Sequence, residues 1–590
     1  MNMIKKLFSL LALSILVTSC TSTPISRKEE KLFQNEKNSL EKRIAFQTPL
    51  DNKIKFGVVE IPENLNPFYS KDESSKIITN LLYQKLFSIK RSHSVESYDF
   101  LLAEDFKASE DGKTYTLVLK DDLYWHNGEK ITTDDVVYSI EYTYKNKDTV
   151  YLDSFLIGEE EITFNKLSDK ILEFQLPKPS FTFKYDLENL KVVPSKTFSK
   201  SPKVFTFDNK EFLIGSGAYV FNEKIKDEYF NVNEFNFVAF DKYFDGKAHI
   251  DKLSIKNVAH YESTRYDLLD YNIQGGYLPG TDLSAFEDEF YNTFTLDKGN
   301  VVSILFKMKN PTVKDKKTRD AISNLINYHS IMGMFGDNTN VSRANSIFGH
   351  DNLYTYQENL INEISFEKSV DYLKKLQLED ENFELKLGFI LNPGETHEKF
   401  AVYLQERFID NGINIKLIPL YEEEYLEEVK NPNSKAFDFC LFLYESNKNP
   451  DHFSNYFKSD GILNYSGYEN KSLDNLWEEA KETKDFQRRT ELYGNIQEIL
   501  YEDKPIYPIV YSNKILVIDD RIINIEDANY SPSSFFYQLN RLDIKEFKPN
   551  EKDLKKYKID PSKIEKEPKF DNVNIYSSNS QPKKLEKPKN

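Results

Sequence analysis

The chain has 590 residues, is 39% hydrophobic and 29% charged, and carries a net charge of −17. That length exceeds one core and calls for two or three domains, while 44 Phe and 37 Tyr exclude a chain that is disordered throughout. The excess of acids, 95 against 78 basic residues, repels phosphate backbones and argues against a nucleic-acid partner.

The N-terminus opens with Lys5 and Lys6, followed by an apolar run from Leu7 to Val17. About 20 apolar residues are needed to span a bilayer, so this run predicts the core of an export signal. It ends in Val17-Thr18-Ser19-Cys20, which resembles the bacterial lipobox, where the Cys is acylated and becomes the mature N-terminus. A plain signal peptide with an incidental Cys20 is the alternative. With Cys20 lipidated, Cys440 has no partner and no disulfide forms. Residues 21–50, rich in Ser, Thr, Lys and Glu, are expected to be a flexible tether.

From Lys53 the texture becomes globular. Ile54, Phe56, Val58 and Val59 predict a strand closed by Pro62 and Asn66-Pro67. Tyr115 to Leu119 predicts another strand, and Thr132-Thr133-Asp134-Asp135 caps a helix carrying Val136, Val137, Ile140 and Tyr144. Beyond about residue 300 strands and helices alternate: strands at 301–306, 385–391, 413–418 and 437–444, helices at 318–328, 365–376, 397–409, 473–483 and 488–501. The run from Phe437 to Tyr444 is almost wholly apolar, as in a strand covered on both faces. The body is therefore α/β with a mixed sheet in each half. After Glu546, a Lys- and Pro-rich tail is expected to be disordered, either simply solvated or attracted to an anionic surface.

Catalytic signatures are missing from this sequence. His397-Glu398 lacks the second His of HExxH, and Gly215-Ser216-Gly217 has the wrong spacing for a nucleophile elbow. No phosphate-binding glycine loop occurs, and no two of the 8 His stand three or four residues apart. Neither catalytic residues, a metal site nor a cofactor is expected.

Several segments, in order, resemble the family 5 extracellular solute-binding proteins, which include oligopeptide- and dipeptide-binding proteins of ABC importers. Asn64-Leu65-Asn66-Pro67-Phe68 with Leu82-Tyr83-Gln84-Lys85-Leu86-Phe87 is similar to the family's "LNP…LYEGL" opening. Leu102-Ala103-Glu104 with Ser109 to Thr116, and Trp125-His126-Asn127-Gly128-Glu129 with Thr132 to Ser139, resemble "LAE…S.DGKTYTF" and "WHDGEPLTADDVVYS". Gly215 to Tyr219 stands where the family has "GTGPY", and Asp315 through Ile322 resembles "D.RVRQAI". The likeness runs collinearly over about residues 53–545.

The resemblance implies a two-lobed, periplasmic-binding-protein-like (type II) α/β fold with an extra subdomain in lobe I. Lobe I would comprise 51–88, 215–298 and 506–545, the subdomain 89–214, and lobe II 299–505. Residues 1–20 would be the lipoprotein signal and 546–590 the tail. Trp125 and His126 would be structural. The implied function is capture of a peptide by a monomer anchored outside the cytoplasm, and its delivery to an ABC permease and ATPase complex. In peptide-binding members an Asp four residues before the Pro of a "D..(D/E)P" loop pairs with the ligand's α-ammonium. Here Ser446 holds that place before Pro450, and Ser cannot offset an ammonium charge. Glu445 takes over only if the chain bends, because successive strand residues face opposite ways. Tyr444, Glu445 and Ser446 are expected to line the cleft from lobe II. Tyr138 and Tyr511 either face them or belong to cores. A sugar or metal chelate in the same fold, and a non-transport envelope lipoprotein or enzyme, are the alternatives.

Overall fold

The computed structural model describes residues 33–563 apart from 35–36, 39, 42–43, 45–49, 93–94, 147, 152–154, 158–159, 227–231, 279–282, 287–290, 337–339, 350–351, 356–364, 392–395, 529–537 and 546–548. The export segment 1–20 with Cys20, most of the tether, and the tail beyond 563 lie outside the described residues. The chain divides into two compact units, residues 52–544 and the two terminal segments 1–51 with 545–590.

The larger unit is framed by one mixed sheet of 11 strands. In chain order these are β1 (Lys53–Val59), β2 (Tyr219–Lys226), β3 (Val232–Ala239), β4 (Lys252–Val258), β5 (Gly275–Leu278), β6 (Tyr291–Phe306), β7 (Val341–Arg343), β8 (Leu385–Ile390), β9 (Ile415–Leu420), β10 (Phe439–Glu445) and β11 (Ile506–Asp519). The spatial order is β2-β3-β4-β1-β5-β11-β6-β10-β8-β9, with β7 beside β11. β1 runs parallel to β4 and β5, whereas β6 is antiparallel to both β10 and β11.

Two long strands, β6 and β11, link the two ends of the sheet. The first residues of β6, Tyr291 to Thr295, pair with Asp519 to Ile515 of β11, whose other edge holds β5 there. The last residues, Asn300 to Leu305, pair with Ser512 to Ile506, and Asn300 to Phe306 also pair with β10. Between these stretches the register shifts, from Thr295 opposite Ile515 to Gly299 opposite Asn513. The fold is two-lobed. Proline would remove a ladder donor, and both strand prolines respect that rule. Pro508 sits at a second register shift in β11, and Pro419 lies on β9 at the end of the sheet.

β10 is apolar on both sides because both sides are covered. Phe439 and Leu441 enter one core with Leu385, Phe400 and Ile509; Cys440 and Tyr444 enter another with Trp477, Tyr493 and Tyr511. Burial pushes the Cys440 thiol up to about 11, so it is an inert core residue.

The subdomain has its own four-stranded sheet, Ala103–Ala108, Thr114–Leu119, Ile171–Gln175 and Thr163–Lys166 in spatial order, and its own core around Trp125, Phe155, Phe174 and Phe183. Three helices matter for the cleft: α1 (Glu73–Leu82), α2 (Thr133–Lys145) and α3 (Phe183–Asn189). Asp135, in the first turn of α2, accepts from the Thr132 and Ser195 backbone N–H groups, from the Ser195 hydroxyl and from the Trp125 indole. The Thr132–Asp135 box is thus a cap, as its sequence indicates.

The smaller unit departs from the expected tether and tail. Glu551–Tyr557 is helical, with the Asn550 side chain capping its first turn. Tyr557 and Ile559 bury themselves against Leu40 and Ile44, with Leu554 packed alongside. Sparse apolar residues at the two ends lack the run length that marks a core in either segment alone, yet together they form a small one.

Candidate ligand cleft

The Gly215–Gly217 turn is built on close backbone approach. Ser216 and Gly217 both donate their N–H to Leu82 O, at 2.8 and 2.9 Å, closing the C-terminal end of α1. A Cβ on Gly215 would lie 1.9 Å from Leu82 O, and one on Gly217 1.9 Å from Leu81 O. His126 clamps the same turn: its Nδ1 accepts from Gly215 N at 3.1 Å, which leaves Nε2–H to donate to Gly217 O at 3.0 Å. Burial lowers the ring to about 4, keeping it neutral. The Trp125-His126 pair and the Gly-Ser-Gly motif are therefore scaffold.

Of the residues expected to line the cleft, three come together, but in the interior. The Tyr444 hydroxyl donates to Ile347 O at 2.9 Å and the Ser446 hydroxyl to Phe348 O at 3.0 Å. The Tyr511 hydroxyl donates to Ser346 O at 2.8 Å and accepts from Ser346 N at 3.0 Å. All three side chains are buried. Gly349, at φ +80°, lets this loop approach so closely that a Cβ there would stand 2.0 Å from the Ser446 Oγ. A buried carbonyl needs a donor, and these hydroxyls satisfy the 346–348 backbone.

Glu445 points elsewhere. Its side chain is 57% exposed and pairs at 2.9 Å with Lys76 of α1, far from it in sequence. Tyr138 is brought to neither group. It lies half-buried beside Tyr142, in an aromatic cluster in which Tyr142 stacks on Phe68. Burial raises its phenol to about 12.

Further long-range polar contacts gather just beyond β10, where composition gave no signal because lysines and acids are everywhere. Lys448 pairs with Glu188 of α3 at 3.0 Å and also reaches Ile89 O at 3.4 Å. Asn449 Nδ2 donates to Asp186 of α3 at 2.9 Å, and the Thr182 hydroxyl donates to Asp451. Burial is the main reason the Asp186 carboxyl is raised to about 7; Asp451 adds to the shift, and Lys481 and the Asn449 bond oppose it. Nearer the crossing strands, Lys514 of β11 pairs with Glu73 of α1. Polar side chains from α1 and α3 thus face the 445–451 segment, a polar seam of the kind that can border a ligand cleft.

Among the described residues no group of three or more His, Cys, Asp or Glu is placed to hold a metal ion, and no helix is long and apolar enough to cross a membrane.

A two-lobed α/β frame of this kind is shared with solute-binding proteins. The chain belongs to the bacterial extracellular solute-binding proteins, family 5 Middle, whose family model matches residues 99–464. It is 24% identical over 563 residues to the oligopeptide-binding protein AppA of Bacillus subtilis, covering 90% of this chain and 97% of that one. To the dipeptide-binding protein of Escherichia coli it is 24% identical, covering 76% and 88%. Among solved structures, the ABC transporter substrate-binding protein CtaP of Listeria monocytogenes superposes with a TM-score of 0.73 at 26% identity, covering 83% of this chain and 99% of that one.

Proposed function

We propose that this protein captures peptides between its two lobes and delivers them to an ABC permease, held outside the cytoplasm by lipid on Cys20. The likeness to an oligopeptide-binding protein over 90% of this chain and 97% of the relative supports this reading most directly. Lobe I is assigned to 51–88, 215–298 and 506–545 with the subdomain 89–214, and lobe II to 299–505. The hinge then falls where β6 and β11 shift register, near Thr295 to Gly299 and Asn513 to Ile515.

In this reading a ligand ammonium that reached Glu445 would replace Lys76 as its partner, whereas Ser446 stays with Phe348 O. Peptides bound only to the folded state raise its stability by about 2.7 kcal/mol at 100 times their dissociation constant. A pool of short peptides should therefore shift the melting transition, and native mass spectrometry of protein from its own host should find a peptide retained. A shift with a sugar or metal chelate but with no peptide would overturn the peptide assignment. Cys20→Ala should release the protein from membranes or leave it unprocessed; an unchanged membrane fraction and mature mass would overturn the anchor.

A further inference from the structure

Charge is shared unevenly along this chain. Of its 78 basic and 95 acidic residues, positions 21–50 hold six Lys or Arg against four acids, and 546–590 hold twelve Lys against eight acids. With Lys5 and Lys6 in the export segment, residues 51–545 are left with 58 basic against 83 acidic, a net of −25, while the two terminal segments together carry +6. Such an asymmetry between a body and its ends points to an anionic partner for the ends. In sequence the two basic segments stand almost five hundred residues apart. In the structure they belong to one compact unit.

Side chains from both ends build that unit. Tyr557 and Ile559 are buried with Leu40 and Ile44, and the Phe33 ring lies 5.0 Å from that of Tyr557. Around this small core Lys552, Lys555 and Lys558 are exposed and make no ion pair with another described residue, whereas Lys37 and Lys563 pair with Glu41 and Asp560. Phe33 is 13 residues from Cys20, so even a fully extended chain sets it no more than about 47 Å away. The C-terminal lysines are thereby held near the residue through which a lipid would enter a membrane. Each Lys close to an anionic leaflet is worth about 1 kcal/mol. The same surface repels the body, with its net of −25, and attracts the terminal unit.

We propose that the terminal unit is an electrostatic foot, whose lysines lie on an anionic phospholipid surface beside the lipid carried by Cys20. This rests on the anchor reading above and adds a second attachment to it. An acyl anchor and a basic patch reinforce each other, because the first makes the binding of the second intramolecular. The Lys-rich C-terminus is then part of the attachment rather than a solvated extension.

The test removes the lipid so that charge acts alone. The full mature chain, residues 21–590 made without acylation, is mixed with vesicles of phosphatidylcholine alone or of phosphatidylcholine with phosphatidylglycerol, and the bound fraction is read by sedimentation. At low salt the anionic vesicles should bind about ten-fold or more of the protein bound by the neutral ones, and the difference should vanish at about 1 M salt, where the Debye length is about 3 Å. The combined Lys552→Glu, Lys555→Glu and Lys558→Glu variant should lose about ten-fold in affinity for the anionic vesicles, and a chain ending after Lys545 nearly all of it, each with the main melting transition unchanged. Equal binding to both kinds of vesicle, binding that salt does not weaken, no binding at all, or undiminished binding by both altered chains overturns the foot. None of these outcomes touches the anchor, which is read separately from the membrane fraction of Cys20→Ala after a high-salt wash.

Discussion

At the scale of single residues, His126 shows how a family motif becomes a structural part. Its ring is ordinarily half-protonated near pH 6.5, but burial holds it neutral down to about 4. Above that window both folded and unfolded chains carry a neutral ring. As pH falls through it, the unfolded chain binds a proton that the folded chain refuses, so stability is lost between about 6.5 and 4. His126→Gln should flatten that part of the pH profile in urea unfolding while costing about 1 kcal/mol at neutral pH for imperfectly replaced hydrogen bonds. Gly215→Ala should be worse, at least about 2 kcal/mol, because its new Cβ meets a backbone carbonyl that closes α1 and cannot swing aside. A melting temperature within a degree of the wild type would contradict that account.

At the scale of elements, α3 and the segment after β10 make a contact whose strength depends on pH. Asp186 has its pKa raised from 3.8 to about 7, so the folded chain keeps a proton there that the unfolded chain has already released. Its contribution is fully present below about pH 4 and is lost as pH rises through about 7. Asp186→Asn should remove that loss, making the variant relatively more stable than the wild type at pH 8 than at pH 4; thermal melts at the two values check the sign. Much at this scale was legible in the sequence. The strand after Phe437 was visible because both its faces are buried, and α2 because its cap and apolar stripe agree. β6 was legible only in its last third: Asn292, Thr293 and Thr295 are exposed, and a strand half in solvent leaves no apolar run to read. The cleft was harder. Sequence could place Tyr444 and Ser446 at the end of a buried strand, but not reveal that the 346–348 carbonyls run past Tyr444, Ser446 and Tyr511 and take their hydroxyls.

At the scale of the molecule, the terminal segments form a unit apart from residues 52–544. Ending the chain after Lys545 removes Tyr557 and Ile559, the partners of Leu40 and Ile44. It should leave the main melting transition and ligand binding of the body unchanged, and protection of residues 33–44 from proteolysis should fall; a drop of several degrees in the main transition would show that the body depends on the ends. The body itself is laid out so that its opening part is finished by a strand near its end: β5 pairs with β1 and with Ile515 to Ile518 of β11, more than two hundred residues further on. Contacts so distant in sequence form late. A chain that emerges N-terminus first on the far side of a membrane cannot complete its leading half until its trailing strand has crossed. Were the chain exported as proposed above, that order of contacts would keep it threadable until passage is nearly done. A chain ending before Ile506 should accordingly remain protease-sensitive in both halves.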